Sequence, residues 1–139
     1  QTPLDARIFA PAGEVWIYTA STDEAKTQAL QARGASVHCL PGSKGKVDLA
    51  AVLRDLGQRQ INELHVEAGF KLNGSLVREG LVDEFLVYLA PKLLGPGQGM
   101  LALAALPVLA DALALEFMSA ERIGPDLRLL ARVLGRGNF

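Results

Sequence analysis

With 139 residues, half of them hydrophobic, 21% charged and a formal net charge of −1, the chain has the composition of a soluble globular protein about one domain long. That balance excludes an electrostatic affinity for nucleic acid, and the apolar stretch from Met100 to Phe117 is broken by Pro107 and Asp111, short of the roughly 20 residues of a membrane span. Cys39 is the only cysteine, which excludes an internal disulfide and points to a reducing, cytoplasmic compartment.

The chain opens at Gln1 with no basic region followed by an apolar run, so no secretory signal is read there. "EVWIYTA" (Glu14 to Ala20), rich in β-branched and aromatic residues, is a strand. "STDEAKTQALQARG" then reads as a helix with Ser21 or Thr22 as N-cap, Asp23 and Glu24 in the first turn, and Gly34 as its stop. The plan repeats: strand "ASVHCL", loop "PGSKGK", and a helix from Asp48 to about Gln58 with Leu49, Val52, Leu53 and Leu56 on one face. A third unit pairs the strand "ELHVEA" with a helix from Gly69 to about Glu79, its apolar face carrying Leu72, Leu76 and Val77.

After Gly80 the rhythm changes. A strand from about Asp83 to Ala90 leaves through Pro91 and "GPGQG" into a weakly patterned region with a short helix, Met100 to Ala114, read as core or dimer contact. "LEFMSAERIG" and "DLRLLARVL" flank "GPD" (Gly124 to Asp126) as a closing antiparallel hairpin, and "GRGNF" as a loose terminus. The expected fold class is α/β: a mostly parallel sheet flanked by helices, with a C-terminal antiparallel hairpin, in a single domain over residues 1–139.

The chemistry concentrates in "HVEAGFKLNGSL", residues 65–76. A helix beginning directly after a strand offers unpaired N–H groups and partial positive charge to an anion, and Gly69 would let a phosphate approach the backbone. The pattern is not G-x-G-x-x-G, and a strand–glycine–helix junction is also plain turn chemistry. Glu67 sharpens the reading, because a carboxylate buried at a strand end needs a partner, either a ligand or the N–H groups of the following loop.

Other residues have simpler readings beside functional ones. Cys39 is expected as an inert core thiol, and His38, His65 and Cys39 are not expected to form a metal site. Thr19 and Ser21 either cap the first helix or meet a cofactor. Asp83 and Glu84 read as a turn cap or solvated edge, and Lys92 as structural or surface.

"INELHVEAGFKLNGSLVREGLVDEFLVYLAPKLLG" (Ile61 to Gly95) resembles the signature block of the reductase domain in the bifunctional riboflavin-biosynthesis deaminase/reductase family. "TPLDARIF", "KVDLAAVLRDL" and "IGPDLRLLARV" resemble the same family in the same order. The resemblance implies a dihydrofolate-reductase-like fold and NADPH-dependent reduction of 5-amino-6-(5-phosphoribosylamino)uracil, with hydride delivered to C1 of the ribose. It further implies that Glu67 contacts the pyrimidine ribose phosphate substrate, while Gly69, Phe70, Lys71, Leu72, Asn73, Gly74 and Ser75 line the NADPH site.

The same family carries a zinc deaminase signature, H-x-E with P-C-x-x-C, and a chain with one cysteine cannot supply it. The family's reductase domain also begins ahead of "TPLDARIF", so the resemblance makes this chain a C-terminal part of that domain. A sheet lacking a strand there would expose edges that favour a homodimer. Phe70 and Lys71 stand where smaller or neutral residues are expected. The alternative to an enzyme is a non-catalytic nucleotide-binding or dimerisation module that keeps the fold.

Overall fold

A computed structural model describes residues 2–136, so Gln1 and the last three residues of "GRGNF" lie outside the described residues. The chain divides into two compact units, one up to His65 and one from Val66.

In the first unit, strand β1 (Val15–Thr19) and strand β2 (Ala35–Cys39) pair in parallel, with Val15 opposite Ala35 and Thr19 opposite Cys39. Helix α1 (Glu24–Ala32) makes the crossover that parallel pairing requires. Its N-cap is Asp23, whose carboxylate accepts the Lys26 N–H at 2.9 Å, rather than the expected Ser21 or Thr22. The reason lies one step upstream: the Thr19 and Ser21 hydroxyls accept the N–H groups of Ser21 and Asp23, a run of short turns that carries the cap to Asp23. Gly34 ends the helix at φ +88°.

Helix α2 (Leu49–Gln58) is capped by Asp48, which accepts the Ala51 N–H at 2.8 Å. Its expected apolar face holds, with Leu56 buried and Leu49, Val52 and Leu53 half-buried. Leu30 and Ala35 complete the buried set of this unit.

"ELHVEA" departs from expectation. Residues 61–69 form no strand. The β-branched and apolar residues favour extension, but local propensity alone does not complete a strand, which needs a laddered partner.

In the second unit, helix α3 (Phe70–Arg78) starts at Gly69 and ends at Glu79, with Gly80 at φ +65° beyond it. Its buried positions are Gly74 and Leu76, while Leu72 is exposed, so the inward face is rotated from the expected one. Gly74 sets that rotation. A Cβ there would lie 2.5 Å from the Ala102 carbonyl oxygen and 2.6 Å from its nitrogen, so a backbone segment packs directly on the helix.

Strands β3 (Glu84–Leu89), β4 (Leu115–Ile123) and β5 (Asp126–Val133) form an antiparallel sheet in the order β3-β5-β4. The expected hairpin turns on Gly124 and Pro125, with Ile123 opposite Asp126. Gly124 at φ +60° supplies the mirror-type turn that matches strand twist. Alternation divides the sheet: Ala131 and Val133 are buried on one face, while Glu84 and Arg132 pair across the other, Nε to Oε1 at 2.8 Å.

The expected fold class is therefore present as mixed α/β, with a parallel pair, helices and a C-terminal antiparallel sheet. The apolar run from Met100 to Ala114 is not core in this chain. Leu103, Leu106, Val108, Leu109 and Leu113 are exposed, and only a short 3-10 turn (Leu109–Asp111) forms there. Pro107 and the alternation of small alanines with leucines leave no continuous apolar face.

Candidate functional site

The candidate site is built around the start of α3. Gly69 is extended, at φ −87° and ψ 172°, and no side chain caps the helix after it. That backbone is open to any residue, and a Cβ at Gly69 would meet nothing within 4 Å. The fold itself therefore gives no steric reason for glycine here. A bare backbone beside the first N–H groups of a helix fits an approaching phosphate, which is what a dinucleotide would present.

Glu67 stands two residues before that turn and is exposed. The desolvation argument made for a buried strand-end carboxylate does not apply to it, since neither the strand nor the burial is present. Its place beside the turn does hold, and an exposed carboxylate can accept hydrogen bonds from a sugar or a base.

The remaining residues of the segment divide by what they touch. Lys71 and Leu72 are exposed and Phe70 is half-buried. A Cβ on Gly99 would lie 3.7 Å from the Phe70 ring, so the ring sits under the loop. Asn73 donates from Nδ2 to the Ala68 carbonyl at 3.1 Å and to the Met100 carbonyl at 3.4 Å. Ser75 donates to the Lys71 carbonyl at 3.1 Å and accepts from Arg78 at 2.9 Å. Arg78 also reaches the Ala102 carbonyl, and the Ala102 N–H donates to the Phe70 carbonyl at 3.0 Å. Residues 99–102 thus form a strap along α3.

Within the first unit, a cavity of about 710 Å³ opens beside the C-terminal end of β1. Its lining includes Thr19, Ser21, Lys26, Thr27 and Lys46. The hydroxyls of Thr19 and Ser21 act as acceptors in the capping turns, and each retains its proton for a ligand. The same lining carries the Asp23 carboxylate and the apolar Ile17, Leu30, Val37 and Val47.

A second cluster in this unit was not legible from spacing. Tyr18 donates to Asp55 Oδ2 at 2.6 Å, and Arg59 grips the same carboxylate through Nε at 2.8 Å and Nη2 at 3.3 Å. The Arg59 guanidinium lies 4.8 Å from the centre of the Trp16 ring. His38, opposite Tyr18 in the β1–β2 register, has its ring 5.3 Å from the tyrosine ring. Arg59 holds Asp55 below the ordinary carboxylate range, with the Tyr18 hydroxyl adding to it. Burial and then the Asp55 hydrogen bond raise Tyr18 above its ordinary value. The one available signal was the i, i+4 spacing of Asp55 and Arg59 on a helix.

The other singled-out residues resolve simply. Cys39 is exposed, not core, because it ends β2 at a sheet edge, and its thiol faces the Ser21 carbonyl at 3.6 Å. Asp83 and Glu84 pair with Arg136 and Arg132. Lys92 is exposed and lines a shallow cleft with Leu89, Arg122 and Leu127. No group of three or more histidine, cysteine or acidic residues is placed to hold a metal among the described residues. No helix among them is long and apolar enough to cross a membrane.

Known proteins resemble this chain in sequence and in fold. The riboflavin biosynthesis protein RibD of Escherichia coli (strain K12) is 40% identical over 129 residues, which cover 92% of this chain and 34% of that protein. A 5-amino-6-(5-phosphoribosylamino)uracil reductase of Buchnera aphidicola (subsp. Acyrthosiphon pisum) is 36% identical over 86 residues, covering 61% of this chain and 42% of that protein. Among solved structures, Acinetobacter baumannii RibD superposes with a TM-score of 0.78 at 27% identity, over 96% of this chain and 35% of that one. The chain thus spans about a third of the length of the RibD proteins it matches. The sequence matches the RibD C-terminal domain over residues 1–129, continuously through both units, and the chain belongs to that family.

Proposed function

We propose that this chain carries the reductase site that converts 5-amino-6-(5-phosphoribosylamino)uracil to its ribitylamino product with NADPH. The observation that carries the reading is the start of α3: an exposed carboxylate at Glu67, then a side-chain-free turn at Gly69 leading into an uncapped helix. Membership of the RibD C-terminal domain family and the name of the Buchnera relative support the substrate class.

The nicotinamide supplies hydride when bound. The chain's own residues then have three tasks. The backbone N–H groups from Gly69 to Leu72 bind phosphate oxygens, Phe70, Lys71, Leu72 and Ser75 lie along the cofactor, and Asn73 and Gly74 hold the helix to residues 99–102. Glu67 accepts from the substrate's ribose or base and orients C1 toward the hydride donor. The absence of a side chain at Gly69 keeps the approach close enough for both.

Several further properties belong to the same reading. In this reading the two units belong to one domain, which the family match through both supports. Exposed apolar residues on the two edge strands of the antiparallel sheet, Tyr88 and Phe117, support a homodimer. A single cysteine, exposed at the surface, suits a cytoplasmic protein, and it also leaves the chain without the ligands for deamination.

The test is isotopic. With NADPH carrying deuterium at the transferable position, the proposal expects label at C1 of the ribityl product. Glu67→Gln should lower kcat/KM by at least about tenfold, the scale of a lost hydrogen bond to a charged group. NADPH oxidation without label at C1, or an unchanged kcat/KM in the variant, would sink the assignment.

A further inference from the structure

Helix starts are usually fixed by a capping side chain or by proline at the first helical position. Helix α3 has neither, since Gly69 precedes it and Phe70 begins it. Asn73, one turn further in, does not cap the free N–H groups but ties the helix start to neighbouring backbone. Its amide carries two hydrogens, and it faces two carbonyls, Ala68 at 3.1 Å and Met100 at 3.4 Å. Two acceptors on one side of the amide also identify the nitrogen end.

The two carbonyls belong to different parts of the site. Ala68 is the single residue between Glu67 and Gly69. Met100 belongs to the strap, which is held to the helix by the Ala102 N–H on the Phe70 carbonyl and by backbone contact at Gly74. One side chain therefore joins turn, helix and strap.

We infer that Asn73 is a positioning residue: through Ala68 it sets how Glu67 and the Gly69 backbone are presented, and its amide nitrogen does not contact the cofactor. This rests on the reading of α3 as the NADPH site. It assigns Asn73 a role different from its neighbours in the segment, whose backbone lines the cofactor.

The experiment is a double-mutant cycle read by NADPH titration, following nicotinamide fluorescence. Proline at position 70 would fix the helix start by other means, since it sets φ near −65° and favours an extended residue before it. Gly69 is already extended, so Phe70→Pro is compatible with the backbone; it lowers affinity on its own by removing the Phe70 N–H and ring, and the cycle subtracts that loss. Asn73→Ala should weaken NADPH binding about threefold to tenfold in the parent chain, the worth of about one hydrogen bond. With Phe70→Pro in place the same substitution should weaken it less than about twofold.

Equal losses in both backgrounds would overturn the inference, because a direct contact does not care how the helix start is held. No loss in the parent would overturn it as well. Gly69→Val separates the two levels: if it lowers affinity while Asn73→Ala does not, the cofactor site stands and the positioning role falls. If neither changes affinity, both fall. Should Asn73→Ala fail to fold by thermal unfolding, Asn73→Asp keeps the shape, removes both donors, and must show the same dependence on Phe70→Pro.

Discussion

At the scale of single residues, Gly74 separates two effects that pull in opposite directions. Replacing a helix-interior glycine with alanine ordinarily stabilises by up to about 1 kcal/mol, because the unfolded chain loses freedom. Here the new Cβ would lie 2.5 Å from the Ala102 carbonyl oxygen, and the obstacle is backbone rather than a yielding side-chain tip. Overpacking of this kind costs about 1–3 kcal/mol, so it prevails. Gly74→Ala should lower the urea midpoint with an unchanged slope, and a raised midpoint would show that the strap does not press on the helix. The sequence singles out Glu67 and Gly69, but the burial at a strand end that it implies for Glu67 is not present in the fold. Exposure is a property of neighbours distant in sequence, and the same blindness put Cys39 in the core.

Elements were legible where local signals mark both ends. Asp48 before α2, Gly34 after α1 and Gly124 in the hairpin act within a few residues of the structure they make. "ELHVEA" failed because a strand is completed by a partner, which local propensity does not supply. The tie between β1, β2 and α2 was equally hidden, since Trp16, Tyr18, His38, Asp55 and Arg59 come from three elements. That tie makes stability depend on pH at both ends. Asp55 is held low in the folded state, so its stabilisation is full above the ordinary carboxylate pKa of about 3.9 and lost as pH falls through the lower folded value. Asp55→Asn should therefore lower the urea midpoint near about pH 7, and the gap from the parent should close in acid. Tyr18 is raised, so its contribution is intact below about pH 10 and lost as pH rises through the higher folded value. A gap that persisted unchanged into acid would show that Asp55 acts through shape rather than charge.

Over the whole molecule, the alternation of strand and helix in the first half and of strand and turn in the last third was enough to read α/β with an antiparallel end. The pattern could not show that the longest apolar run would lie exposed, because hydrophobicity marks a residue as available for burial without naming what covers it. It also could not show the division at residue 65 into two units, which falls inside the expected third strand. Family membership runs across that division.

The most direct test is NADPH titration of the parent chain beside Gly69→Val. The Gly69 backbone is extended and a Cβ there meets nothing within 4 Å, so Gly69→Val should change stability by about 1 kcal/mol. The account predicts saturable binding by the parent and a loss of at least about tenfold in the folded variant, as methyl groups occupy the place of a phosphate. Equal affinity in the two proteins would contradict it, and would remove the cofactor from the start of α3.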